Sequence, residues 1–216
     1  MLIVAMATCG VADIMFDLET WSDADDTEGW DDRDDIATVQ QQTTGGNPDG
    51  YLNMHFDESI GAGETEAMVA PITGYTGDYT SYDDLSVEFD YLGYSSSDQW
   101  LYFDSDYNGG STWAYLLEPT VAYDWEHWTI NFYDQTGWLE VGSSGNSWLD
   151  ALTQVSLIGV VVDHTNIGAM DYGLDNWQFQ QVPEPGEIAL AVTALGGMLL
   201  FFRRKKEKED PQPDSA

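Results

Sequence analysis

Cationic side chains are nearly missing from this chain. Only six of its 216 residues are Lys or Arg, and five of those six are crowded into positions 203–208. Between Asp13 and Val182 there is no lysine, and Arg33 is the one base against 33 acidic residues. Nucleic acid is thereby excluded as a partner, because nothing is on hand to displace the counterions of a phosphate backbone. Cysteine is as scarce: Cys9 stands alone, so no intramolecular disulfide can form and the domain must hold together by packing. Other absences narrow the chemistry. No Gly-rich phosphate loop precedes a helix, and no Gly-x-Ser-x-Gly nucleophile motif occurs; Gly142-Ser143-Ser144-Gly145 reads as a turn. The three histidines, His55, His127 and His164, have no metal-ligand spacing. Nor does the middle of the chain hold a helical period longer than two turns, or an internal repeat.

What is abundant is negative charge, and it is self-repelling. Salt relieves such repulsion, as do bound divalent cations. Adaptation to a saline medium and calcium binding both suit this composition.

The other prominent feature is the C-terminal end. Val182-Pro183-Glu184-Pro185-Gly186-Glu187 is followed by fifteen uncharged residues, 188–202, and then by Arg203, Arg204, Lys205 and Lys206 in a basic cluster that runs to residue 208. An apolar helix satisfies its backbone inside a bilayer, and the cations behind it remain on the cytoplasmic side. A single transmembrane helix is expected over 188–202, with a polar tail at 209–216. Fifteen residues rise about 22 Å against a hydrocarbon core of about 30 Å, a mismatch that snorkelling arginines reduce. An uncleaved C-terminal anchor would look the same by these criteria.

This order of Pro-Glu-Pro, short apolar helix and Arg-Arg-Lys-Lys resembles the PEP-CTERM sorting signal of Gram-negative bacteria. The resemblance covers residues 183–208, with Pro183, Glu184 and Pro185 as the sorting motif. It implies exosortase as processing partner, removal of the helix and basic cluster, and an exported protein that passes from a membrane-anchored precursor to the cell surface or extracellular matrix. Residues 1–12 fit the same picture: an apolar run ends in Gly10-Val11-Ala12, a small-x-small pattern expected of a signal peptide. The run lacks a basic start, as a truncated signal would, and a buried N-terminal strand is the alternative.

Residues 13–182 are expected to form one acidic domain. Alternating or short apolar runs predict strands at 13–19, 36–40, 51–56, 66–70, 85–94, 100–103, 112–117, 128–133, 138–141, 157–162 and 174–179. The alternation is cleanest at Leu85, Val87, Phe89 and Tyr91. The continuous apolar run 157–162 predicts a strand covered on both faces. Residues 22–35 read as an acidic loop, and 147–152 as a short helix capped by Asn146 or Ser147. About eleven short strands with turn signals between them predict an all-β, jelly-roll-like β-sandwich. The segments 68–91 and 152–176 are similar to laminin domain IV modules, which implies a galactose-binding-like jelly roll.

Three kinds of chemistry are open. Asp104-Ser105-Asp106-Tyr107-Asn108-Gly109 places Asp104, Asp106 and Asn108 at alternate positions on a tight turn, a calcium-like spacing. The twelfth position is Tyr115 rather than Glu, so a polar hairpin turn is the alternative; Asp23, Asp25 and Asp26 form a second candidate. All nine Trp lie in the acidic domain. Core packing should take most, leaving Trp125 and Trp138, both near turns, to stack on sugar rings. Glu88 and Asp90 share a strand face, as paired acids of a glycosidase would, but the third acid of such sandwich enzymes is replaced by Leu92 or Gly93. No catalytic residue is therefore assigned. The sequence points to an exported, non-catalytic protein that associates with extracellular polysaccharide or the cell envelope. The alternatives are a carbohydrate-active enzyme, glycoside hydrolase or lyase, and a structural coat protein.

Overall fold

The structure, a computed structural model, describes residues 14–21, 27–60, 62–94, 98–142, 144–164 and 169–181. The expected signal peptide, the sorting motif Pro183–Pro185, the helix at 188–202, the cations at 203–208 and the acids Asp23, Asp25 and Asp26 lie outside these residues. Among the described residues no helix is long and apolar enough to cross a membrane.

Eleven strands form two antiparallel sheets. They are β1 (Asp31–Asp32), β2 (Thr38–Gln42), β3 (Tyr51–Phe56), β4 (Glu64–Val69), β5 (Leu85–Leu92), β6 (Asp98–Ser105), β7 (Ser111–Leu117), β8 (Trp125–Asn131), β9 (Trp138–Val141), β10 (Val155–His164) and β11 (Met170–Gln181). One sheet runs β1-β4-β10-β6-β7-β9 and the other β2-β3-β11-β5-β8. The all-β sandwich expected from the strand spacing is therefore present. A single turn, α1 (Ile72–Tyr75), and a short helix, α2 (Trp148–Leu152), complete it. The Ser147 hydroxyl accepts the Asp150 N–H and caps α2 as expected.

Period-two alternation sets the core. On β6, Gln99, Leu101, Phe103 and Ser105 turn inward, while Trp100, Tyr102 and Asp104 turn outward. Leu85, Val87, Phe89 and Tyr91 of β5 meet them from the other sheet, all fully buried. Between the layers the aromatic rings pack mainly edge to face: Trp30 lies 5.0 Å from Trp177, and Trp113 lies 5.0 Å from Trp148. Trp30, 2% exposed, is buried in this core although it lies within the stretch expected to be a loop. Asp31 and Asp32 add a short edge strand to β4.

The opening segment departs from the expected strand at 13–19. Ile14 is buried, but Phe16 and Leu18 are exposed at 36% and 51%. The segment's backbone bonds go elsewhere: the Ile14 N–H donates to the Tyr82 hydroxyl at 3.0 Å and the Met15 N–H to the Gly74 carbonyl at 2.8 Å. The N-terminal segment meets the β11 backbone at the Glu19–Trp177 bridge, beyond the rungs that β3 occupies, and the Gln178 side-chain amide donates to the Phe16 carbonyl at 2.8 Å.

Candidate functional site

The outer face of the six-stranded sheet bears apolar and aromatic residues where a solvated sheet face would be polar. The strand registers bring them into rows. Val69, Gly159, Tyr102, Ala114 and Leu139 form one row, and Ala67, Val161, Trp100 and Leu116 form the next. Gly159 and Ala114 are small, so the sheet dips on either side of Tyr102. The result is a trough of about 410 Å³ with Trp100, Tyr102, Leu139 and Val161 in its lining and Arg33, Thr65 and Asp163 among its polar groups. At Thr112 and Val141 it continues into a more polar cavity of about 600 Å³ that takes in Asp104, Asp106 and Ser144.

Arg33 is the only Lys or Arg among the described residues, and it lies over this trough. Its guanidinium carbon sits 5.6 Å from the centre of the Tyr102 ring, within cation–π range. Its Nη2 is 3.5 Å from Asp104 Oδ2. The loop that carries it is held from below. Buried Glu66 accepts the backbone N–H groups of Arg33 (3.1 Å), Asp34 (3.1 Å) and Ile36 (2.9 Å). Charge-assisted bonds of this kind are the stronger class, so the one cation is placed by a built carboxylate clamp.

Two polar atoms of the trough are buried: the Tyr102 hydroxyl, which lies against the Arg33 guanidinium, and Asp163 Oδ1, which makes no hydrogen bond among the described residues. Tyr102 is 2% exposed. Burial pushes its phenol well above the usual range, despite the opposing charge of Arg33, so the hydroxyl stays protonated as a donor. Arg33 and Asp163, beside the apolar lining of Trp100, Leu139 and Val161, supply a donor and an acceptor of the kind that a hydroxyl-rich ligand uses.

The structure disperses the residues expected to act. Trp138 is a correction: it is 4% exposed and packs against Phe103, Phe132 and Trp148, because strand β9 turns it inward and Leu139 outward. It has no free face for a sugar. Trp125 stands half-exposed on the opposite sheet. Asp104 accepts the Thr112 hydroxyl at 2.5 Å in addition to pairing with Arg33. Asp106 is exposed, and Asn108 sits in the left-handed region (φ 46°) at the tip of the β6–β7 hairpin. That hairpin is pinned by the Asn146 side-chain amide, which donates to the Tyr107 carbonyl at 2.9 Å. Among the described residues no three His, Cys, Asp or Glu side chains form a group that could hold a metal ion. Glu88 and Asp90 do share the outer face of β5, but each is engaged. Glu88 accepts the Gln180 amide at 2.6 Å, and Asp90, 6% exposed, accepts from Asn176 at 2.6 Å and Asn47 at 3.2 Å and bonds His127 at 2.9 Å.

Sequence reasoning missed Trp100, Tyr102 and Arg33 as a group. A signal was present: the uninterrupted apolar run on β10 buries Ile158, Val160 and Val162 in the core, while Leu157 and Val161, on its other face, are only half-buried and face the trough side.

No protein-family model matches this chain, and no curated protein matches it. Among solved structures it is similar to the family 11 carbohydrate-binding module of the cellulosomal cellulase Lic26A-Cel5E of Clostridium thermocellum, at 17% identity and a TM-score of 0.49, over 78% of this chain and 96% of that one. It is also similar to the CBM22-1 xylan-binding domain of Paenibacillus barcinonensis Xyn10C, at 13% identity and a TM-score of 0.45, over 81% and 98%. A third likeness is to an exo-beta-agarase, at 15% identity and a TM-score of 0.49, over 78% of this chain but only 25% of that one.

Proposed function

We propose that this chain is an exported, non-catalytic protein that associates with extracellular polysaccharide through the trough on its six-stranded sheet, and that residues 183–208 deliver it to the surface as a PEP-CTERM signal handled by exosortase. The observation that carries the binding reading is the trough itself. It sets the apolar surface of Trp100, Leu139 and Val161 beside the polar groups of Arg33, Thr65 and Asp163. Sugar rings present one apolar face and a rim of hydroxyls, and both find partners here. The trough is open at its polar end, which suits a chain bound along its length.

Affinity electrophoresis on a panel of soluble polysaccharides tests this reading. Retention by at least one of them is expected, with Trp100→Ala weakening it about tenfold or more, the equivalent of about 1.4 kcal/mol. Retention by none, or an unchanged Trp100→Ala variant, would overturn it. For the sorting step, peptide mapping of the surface-located protein should find nothing beyond the Pro183–Pro185 region. Recovery of a peptide containing Pro211, Gln212 and Pro213 from that form would refute removal.

A further inference from the structure

The five-stranded sheet carries a second aromatic cluster on its outer face, on the other side of the sandwich from the trough. Trp125, at the start of β8, reaches across β5 to β11. A Cβ added at Gly173 would come within 2.6 Å of indole Cη2, so the absence of a side chain there is what admits the ring. The indole N–H donates to the Gly45 carbonyl at 3.0 Å, and Tyr51 meets the ring edge-on at 5.3 Å. Trp125 is thus fixed in place yet half-exposed. Beside it, in the loop before β8, Tyr123 is 70% exposed and stands edge-on to Tyr94 at 4.3 Å. Glu126 holds that loop by accepting the N–H groups of Thr120 (2.6 Å) and Val121 (2.7 Å).

Polar groups complete the cluster. Asp171 accepts from His55 Nδ1 at 2.7 Å and from the Asn53 amide at 2.9 Å, with its side chain still 51% exposed. Its charge reaches the phenols of Tyr51 and Tyr94, both raised chiefly by burial, which puts all three groups in one neighbourhood. Asn53 is 3% exposed, and its Oδ1 makes no hydrogen bond among the described residues. A half-exposed indole, an exposed phenol and a carboxylate with free lone pairs ask for an apolar ring face together with hydroxyl protons. A polyanion is disfavoured, because Asp171 and Asp90 face it.

We propose that Trp125, Tyr51, Tyr123 and Asp171 form a second saccharide site for uncharged sugars, so that one molecule holds two glycan chains, one on each sheet, and cross-links them. The cross-linking part rests on the trough being a glycan site; the second site stands on its own residues. Two sites on opposite faces cannot engage adjacent units of one short chain, so their joint effect is bridging between chains.

The test uses the full chain with soluble β-glucan, xylan and galactomannan, read by affinity electrophoresis and by solution viscosity. The wild type should be retained and should raise the viscosity. Trp100→Ala and Trp125→Ala should each remain retained, about tenfold more weakly, and lose the viscosity effect; the double variant should not be retained. Tyr123→Ala, at an exposed position, repeats the test where folding is not at stake. If Trp125→Ala and Tyr123→Ala match the wild type in both readouts, the second site is wrong and the trough stands. If instead Trp100→Ala matches the wild type while Trp125→Ala loses all retention, the trough and the cross-linking fall and the second site stands. Retention of no form on any of the three polysaccharides overturns both.

Discussion

The buried carboxylate of Glu66 holds Arg33 by its backbone, accepting the Arg33 N–H at 3.1 Å, and so places the only described Lys or Arg over the Tyr102 ring. With the trough as the proposed polysaccharide site, this contact joins stability to recognition. Glu66→Gln keeps the shape but turns an amide N–H toward backbone donors. Leaving buried donors unmet costs about 1–3 kcal/mol. Urea denaturation should show a loss of that order, and polysaccharide affinity should fall with it as the Arg33 loop shifts.

Trp138→Ala separates core from surface. Removing so large a buried ring should cost about 3–5 kcal/mol. Polysaccharide affinity measured well below the melting temperature should stay at the wild-type value, since Trp138 faces Phe103 and Phe132 rather than the trough.

Asp175 makes stability depend on pH. Burial, helped by the charges of Asp90 and Asp49, pushes its carboxyl up to about 6, against the opposing N–H bonds from Asn47 and Asn176. The ordinary carboxyl value is near 3.9, so protonation favours the folded form. The contribution is complete below about pH 4 and is lost as pH rises through 6, at most about 3 kcal/mol. Melting temperatures between pH 5 and 7.5 should fall with rising pH in the wild type, and less steeply in Asp175→Asn.

Salt should stabilise the domain. With 33 acids against Arg33 between residues 13 and 182, like-charge repulsion opposes folding. The melting temperature should rise from low salt to about 1 M NaCl, where the screening length is about 3 Å. An unchanged value would mean that the carboxylates lie too far apart to repel.

Period two carried the fold into view. Strands β3 and β9 begin and end where alternation placed them, and β5 differs only at its last two residues. What alternation could not show is where a segment's backbone finds its partners. Ile14, Phe16 and Leu18 have the spacing of a strand, yet the Ile14 N–H goes to the Tyr82 hydroxyl and the Met15 N–H to the Gly74 carbonyl rather than to a ladder. The strand at 36–40 likewise begins late, at Thr38, because Glu66 draws Ile36 into the Arg33 turn. For the trough, each ingredient was visible singly. Arg33 stood out as a lone cation, and the 157–162 run as apolar on both faces. Their meeting over Tyr102 depends on β4 and β10 being neighbours, a pairing of distant segments that no local pattern encodes. Trp138 misled for a related reason: nearness to a turn says little about which way an edge strand faces.

The final strand, β11, is hydrogen-bonded on one side to β3 and on the other to β5, and the chain leaves it at Gln181. A tug applied along that strand from its C-terminal end would load both rows of bonds in shear, many at once, instead of peeling them singly from a border. A body moored by that end would resist drag from flowing water through a strand held on both sides.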